Sequence, residues 1–256
     1  CNKLFSHAFA FINFGAFFIM KKITIDEGNT SVKLALFENN QMVFRESDFN
    51  LEFVKVLLSQ CDRLIISTVK KNTLFKSLFS IKNTISLNPS TPLPITNCYK
   101  TPHSLGNDRI ALAVGAIANF PNNNVLVIDA GTCITYDFIN SKKEYLGGSI
   151  SPGIQMRYNA LHHFTSQLPL LESVDTAILT GANTEESIHS GIINGILVEI
   201  DGIIQRYTNQ YPDIKVIVTG GNAKFFDKGL KNTIFANPNL LMEGLNKILD
   251  YNESYF

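Results

Sequence analysis

The sequence predicts an α/β protein of two duplicated units, each a mixed sheet flanked by helices, and two observations carry that expectation. The loop Asp26-Glu27-Gly28-Asn29-Thr30 recurs in the second half as Asp129-Ala130-Gly131-Thr132. The surroundings recur with it. Each loop follows an apolar strand-like run (Ile23-Thr24-Ile25, then Val125-Leu126-Val127-Ile128), leads into an alternating segment (31–37, then 133–139), and reaches a polar turn and a third strand. A single Asp-x-Gly is an ordinary turn signal, whereas two copies in the same context are a structural repeat.

From Met20 the first unit reads as strands over 22–27, 31–38 and 41–46, a helix over 50–60, a buried strand over 63–69, a helix over 72–79 and a short strand over 84–87. Pro89, Pro92 and Pro94 then punctuate a loop. The segment from Tyr99 through Thr101-Pro102-His103-Ser104-Leu105-Gly106-Asn107-Asp108-Arg109 runs into an apolar helix over 110–119. The second unit repeats three strands, 124–129, 132–139 and 143–150. Gly147, Gly148 and Gly153 permit close backbone contact, and Pro152 suits the first turn of a long helix. Asn183 and Thr184 followed by Glu186 read as a capping box for a helix reaching about residue 208. A buried strand over 214–218 ends in Thr219-Gly220-Gly221 before another helix, a nucleotide-side arrangement in open α/β sheets. A closing helix spans 238–251.

The chain of 256 residues fits one large domain or two of about 100–130 residues, and the repeat favours two. Lys+Arg and Asp+Glu both number 22, so no basic field draws nucleic acid or an anionic membrane; neither is expected as a partner. Cys1, Cys61, Cys98 and Cys133 are dispersed, which argues against a zinc site or disulfide framework and for a reducing, cytoplasmic setting. Residues 1–19 crowd Phe5, Phe9, Phe11, Phe14, Phe17 and Phe18 with no carboxylate. They read as a non-native or upstream extension rather than a signal peptide, with Met20 as the start. Their apolar run falls short of the ~20 residues that span a bilayer.

The repeated loops carry chemistry. Glycine lets the backbone approach a ligand, the following amides and Thr hydroxyl donate to phosphate oxygens, and Asp holds magnesium or its water shell. Two such hairpins face to face would clamp a nucleoside triphosphate. Asp108, at the mouth of a helix, would accept the proton of a primary hydroxyl while Lys33 neutralises the transferring phosphoryl group. The bland alternatives are a helix cap with a surface ion pair for Asp108-Arg109 and a solvated strand residue for Lys33. Adjacent His162 and His163 point about 100° apart on a helix and read as surface residues. His103 fits either a ligand contact or a loop turn. Phe75, Phe79, Phe225 and Phe226 read as core or interface.

Asp26-x-Gly28-Asn29-Thr30-x-x-Lys33, Gly106-x-Asp108-Arg109, Asp129-Ala-Gly131-Thr132, Gly147-Gly148 with Pro152-Gly153, and Thr219-Gly220-Gly221 together resemble type III pantothenate kinases in order and spacing. The resemblance runs from about Met20 to the C-terminus. It implies two duplicated ribonuclease-H-like domains (20–121 and 122–256) of the actin-like ATPase superfamily, with mixed sheets flanked by helices, working as a homodimer. It also implies ATP-dependent phosphorylation of pantothenate to 4'-phosphopantothenate, the first step of coenzyme A biosynthesis. By the same resemblance Asp26 organises the magnesium of MgATP. Gly28, Asn29, Thr30 and Lys33 lie along its phosphates, with Gly131 and Thr132 as the opposing phosphate loop. Tyr99, Gly106, Asp108 and Arg109 match the pantothenate site, with Asp108 catalytic. Thr184 resembles a substrate contact donated by the partner subunit, and Asp129 a carboxylate linked to a monovalent cation, potassium or ammonium. Glu27 and Cys133 depart from the family pattern; Glu27 is expected to shift metal affinity or to face solvent. The competing readings are an accessory transcriptional regulator of the same family and a sugar kinase of the same superfamily.

Overall fold

The computed structural model describes residues 20–70, 73, 75–227 and 229–253, so the expected extension over 1–19 lies outside the described residues. The first sheet takes the order β3-β2-β1-β4-β5 from β1 (Lys21–Glu27), β2 (Val32–Glu38), β3 (Gln41–Ser47), β4 (Arg63–Thr68) and β5 (Thr84–Ser86). β1, β2 and β3 form an antiparallel meander, while β4 pairs parallel with β1 and β5 parallel with β4. Helix α1 (Leu51–Leu58) makes the crossover, its first turn closed by Asn50 Oδ1, which accepts from Phe53 N at 2.8 Å.

Alternation along β1 decides which residues reach the site. Ile23 and Ile25 pack on the outer face with Val54, Leu64, Ile66, Phe75 and Leu78. Thr24 points inward, where its hydroxyl meets Met242 Sδ at 3.2 Å, and Asp26 shares that inward face. Glu27 therefore points outward, and the expectation that it faces solvent is corrected: it is fully buried and accepts from Thr68 Oγ1 at 2.7 Å, on the opposite face from Asp26.

The second sheet has the order β11-β10-β7-β8-β9-β6, from β6 (Thr96–Asn97), β7 (Val125–Ala130), β8 (Cys133–Ile139), β9 (Glu144–Pro152), β10 (Lys215–Thr219) and β11 (Phe235–Ala236). β6 lies within the segment read as the end of a Pro-punctuated loop, yet it pairs parallel with β9. Two residues are too few for a periodic pattern, and only the neighbouring strand makes them a strand. β11 escaped the sequence reading for the same reason.

Helices α2 (Asn107–Asn119) and α6 (Leu240–Tyr251) lie between the sheets. Residues Arg109 to Ile117 of α2 are all buried, in a core shared with Ala35, Ile65, Val125, Val127, Leu245 and Ile248. The two helices touch backbone to backbone: a methyl added at Gly115 would lie 2.5 Å from Leu240 O, and one at Gly244 would collide with Ala111 O. Lys22, only 3% exposed, ties α6 to β1 through Asp250, Glu253 Oε1 at 3.1 Å and Asn40 Oδ1 at 3.1 Å. That buried ammonium is compensated by two carboxylates, as a charge removed from water requires.

Helices α3 (Ile154–Phe164) and α4 (Thr184–Gln210) are assigned to the far side of the second sheet by their core partners, with α5 (Ala223–Asp227) following the Gly-Gly loop. Among the described residues α4 alone is long and apolar enough to cross a membrane, with mean hydropathy 1.3. Its Ile192, Ile193, Ile196, Ile200 and Ile204 pack instead against Leu126, Ile128 and Val218.

Three boundaries differ from expectation. The helix over 72–79 is a 3-10 turn, Lys76–Ser80, with residues 72 and 74 outside the described set. α2 begins at Asn107 rather than 110, which places Asp108 and Arg109 in its first turn. Pro152 ends β9, paired with Cys133, instead of opening a long helix; Gly153 caps the 11-residue α3. Glycine is needed there because a methyl would meet Gly131 O at 2.5 Å and collide with Thr132 O.

Candidate active site between the two sheets

The two Asp-x-Gly hairpins face each other. Thr30 Oγ1 and Thr132 Oγ1 lie 2.8 Å apart, with one hydroxyl donating to the other. Each turn is closed by its glycine amide, Gly28 N donating to Ser31 O at 3.1 Å and Gly131 N to Cys133 O at 2.9 Å. Asp26 sits opposite Lys33 in the β1–β2 ladder, and Asp129 lies beside Thr219 in the β7–β10 pair. A cavity of about 60 Å³ brings Lys33 and Asp129 together with Thr219, Gly220, Gly221 and Met242. Gly220 adopts a φ of +94°, and a side chain there would collide with Asp129 Oδ1, so only glycine lets this loop close over the carboxylate.

Burial lifts Asp26 from an ordinary carboxylate value of 3.8 to about 6; the Ser67 hydroxyl, donating to Oδ1 at 2.9 Å, and Lys33 pull it down, while Asp108 and Glu27 push it up. Asp129 also reaches about 6, chiefly through burial, with Lys33 opposing and Asp108, Asp26 and Asp137 adding repulsion. Three carboxylates thus converge around one lysine. Two of them are kept from water and raise each other's cost of ionisation. Such oxygen donors suit a hard cation, whose charge would relieve that cost. Among the described residues no group of three or more His, Cys, Asp or Glu forms a metal cage.

Asp108 enters from the first turn of α2, where Oδ1 accepts from Arg109 N at 2.9 Å. A methyl at Gly106 would collide with that carboxylate. Among the described residues the ion pair of Arg109 is buried rather than at the surface. Arg109 Nε donates to Asp137 Oδ1 at 2.8 Å and Nη2 approaches the same oxygen to 2.7 Å, with both residues buried. Burial works against the guanidinium charge, but the Asp137 carboxylate more than offsets it and holds Arg109 above its ordinary value. Tyr145 OH donates to Asp137 Oδ1 at 2.6 Å and Thr135 Oγ1 to Oδ2 at 3.0 Å. Tyr99 lies under the guanidinium, 5.8 Å from ring centroid to Arg109 Cζ. Its ring packs against Gly147, where a methyl would sit 3.1 Å from Cδ2, and this accounts for glycine at that position.

Sequence reasoning missed Asp137, Tyr145 and Ser67. A visible signal existed for Asp137, an acidic residue inside the apolar run Ile134 to Ile139. Thr184 is not brought into the cleft. It is exposed at the start of α4, beside a groove of about 930 Å³ lined by Arg157, Leu161, Phe164, Leu168 and Ile188, which shares no residue with the cavity at Asp129. Asn183 Oδ1 accepts from Glu186 N at 2.9 Å, while Glu186 reaches back to Ala182 N at 2.8 Å, a capping box displaced by one residue. His162 is exposed and hydrogen-bonded to Leu168 O. Phe75 and Phe226 are core residues, with Phe79 and Phe225 packed against the same clusters.

Paired mixed sheets separated by helices, with mirrored Asp-x-Gly hairpins at their junction, define a protein of the actin-like fold class. The fold recurs in the activator of 2-hydroxyisocaproyl-CoA dehydratase from Clostridium difficile, solved with bound ADPNP (TM-score 0.51, 12% identity, covering 92% of this chain and 97% of that one). It recurs too in a Campylobacter jejuni protein described as a Baf family transcriptional activator (TM-score 0.61, 22% identity, 91% and 99% covered). The chain belongs to the type III pantothenate kinase family, whose sequence profile matches residues 22–206. A type III pantothenate kinase from Christiangramia forsetii is 44% identical over 240 residues, covering 91% of this chain and 99% of the relative.

Proposed function

We propose that the protein transfers the γ-phosphoryl group of ATP to the primary hydroxyl of pantothenate, giving 4'-phosphopantothenate in the first step of coenzyme A biosynthesis. The observation that carries this reading is the meeting of Thr30 with Thr132 beside the convergence of Asp26, Asp129 and Lys33, in a member of this family. Thr30, Thr132 and the amide of Asn29 bind the phosphates, Gly28 and Gly131, whose own amides close the turns, let the backbone approach them, and Lys33 balances their charge. Asp26 holds the divalent ion that accompanies ATP, which when bound draws charge from the phosphoryl oxygens. Asp108 takes the hydroxyl proton as the new O–P bond forms and the bond from the γ-phosphorus to the oxygen of departing ADP breaks. A loose transition state asks mainly for alignment and charge balance, so a carboxylate suffices as base.

On the same reading Tyr99, Gly106 and Arg109 bind pantothenate, and Asp129 holds a monovalent cation, potassium or ammonium. Asp129 stands in the wall of the cavity beside Thr219 and Gly220, which supports an oxygen-lined cation site. The protein is a cytoplasmic homodimer in which Thr184 completes the partner's pocket; its exposure beside a large apolar groove supports this. The domain division falls near residue 121. The test is a coupled ADP-release assay with pantothenate, N-acetylglucosamine or no acceptor. Release dependent on pantothenate is expected. Release with the sugar alone would reassign the acceptor, and release with neither would remove the kinase reading.

A further inference from the structure

Strand β3 carries Arg45 opposite Ala35, and Ala35 is buried in the core between the sheets. Directly paired residues share a face, as do residues two apart on one strand, so Arg45 lies on the same inward face as Ala35 and Lys33. Its guanidinium crosses to the far half of the chain. Nη1 donates to Pro238 O at 3.0 Å and to Asn239 Oδ1 at 2.6 Å. Asn239 immediately precedes α6, and its own amide is fixed by Asn237 Oδ1 at 2.9 Å. Arg45 and Pro238 both stand in the wall of the cavity that holds Lys33, Asp129 and the Thr219-Gly220-Gly221 loop.

Lys33 belongs to the first sheet and the Gly220 loop to the second, so their separation depends on whatever joins the sheets at this cavity. We propose that Arg45 is a nucleotide-positioning residue, a strap from β3 to the start of α6 that sets the spacing between Lys33 and the Gly220-Gly221 loop. The inference rests on reading this cavity as the nucleotide end of the active site. A guanidinium suits the task because its fork reaches a carbonyl and a side-chain amide oxygen together, whereas a lysine ammonium offers a compact charge on a mobile stem. The arginine acts through its two acceptors, which distinguishes it from one that touches phosphate.

The test compares Arg45→Ala, Asn239→Ala, the double variant and Arg45→Lys in the full chain. The readouts are the KM for ATP at saturating pantothenate and the KM for pantothenate at saturating ATP. Arg45→Ala is expected to raise the ATP KM roughly three- to tenfold, the range set by an exposed charge-assisted hydrogen-bond pair, with pantothenate KM within about twofold of wild type. Asn239→Ala should move the ATP KM in the same direction by less, since Pro238 O still accepts. The double variant should match Arg45→Ala alone, and Arg45→Lys should recover part of the loss. An unchanged ATP KM in Arg45→Ala overturns the proposal. So does a wild-type value in Asn239→Ala beside an impaired Arg45→Ala, or a double defect equal to the product of the singles; both mark direct contact with nucleotide. Failure of wild type to bind ATP by calorimetry removes the underlying cleft reading and the strap with it, an outcome separate from the others.

Discussion

Thr30 and Thr132 meet hydroxyl to hydroxyl at 2.8 Å although 102 residues separate them. Each belongs to the turn of its own hairpin, so the contact joins the two sheets where the duplicated loops face. Both hydroxyls can turn from each other to an anion placed between them, because a hydroxyl has one rotatable donor and two acceptor sites. Thr132→Val keeps the shape and removes the donor. The KM for ATP is expected to rise about tenfold, with pantothenate KM little changed in steady-state kinetics. An unaltered ATP KM would take Thr132 out of the phosphate site.

Asp108→Asn is nearly isosteric and removes the proton acceptor alone. Turnover should fall on the order of 10²- to 10⁴-fold, while circular dichroism and melting temperature stay close to wild type. Wild-type-like turnover would show that Asp108 serves only the first turn of α2.

Asp26 yields a prediction about pH. Its folded value of about 6 exceeds the ordinary 3.8, so between those values the folded chain holds the proton more tightly than the unfolded chain does. The ionised carboxylate therefore destabilises the nucleotide-free protein fully above pH 6, and the penalty fades as pH falls toward 4. Asp26→Asn should raise the melting temperature at pH 7.5, by on the order of 1–3 kcal/mol in stability, and the advantage should vanish near pH 4. The same variant should lose MgATP affinity. A lower melting temperature at pH 7.5 would contradict the argument.

Asp137 anchors Arg109 through a buried ion pair, with Tyr145 and Thr135 satisfying the remaining acceptor capacity. In Asp137→Asn the guanidinium loses its counter-charge inside the protein, which costs about 3–5 kcal/mol when uncompensated. The variant should melt earlier and show a pantothenate KM raised at least roughly tenfold, with ATP KM near wild type. A folded variant with both constants unchanged would separate Asp137 from the acceptor site.

Thr184 supplies the test of assembly. Mixing Asp108→Asn protein with protein bearing a bulky residue at Thr184 should restore activity, because one pocket in each mixed dimer regains both native residues. Lack of complementation, with subunit exchange established by native mass spectrometry, would place each pocket within a single chain.

The repeated hairpins were legible in the sequence because strand alternation and turn chemistry are local. Asp26, Gly28, Asp129 and Gly131 each announce a turn within a few residues, and Asn183 with Glu186 announces the start of α4. Weaker local signals failed. β6 and β11 have two residues each, and the first turn of α2 is written in Asn107 and Asp108, which read equally well as loop.

The sequence by itself determined the repeated strand–turn–strand pattern, its two Asp-x-Gly turns and an acidic residue at the opening of a helix. The tertiary structure alone decided that Thr30 faces Thr132, that Arg109 turns from the surface to Asp137, that Glu27 is buried away from Asp26, and that Arg45 reaches Asn239. The physical reason is range. A strand or turn depends on torsions and burial over a few residues, whereas the partner of a charged side chain depends on which distant segment packing brings within hydrogen-bond reach and on how much water that packing removes.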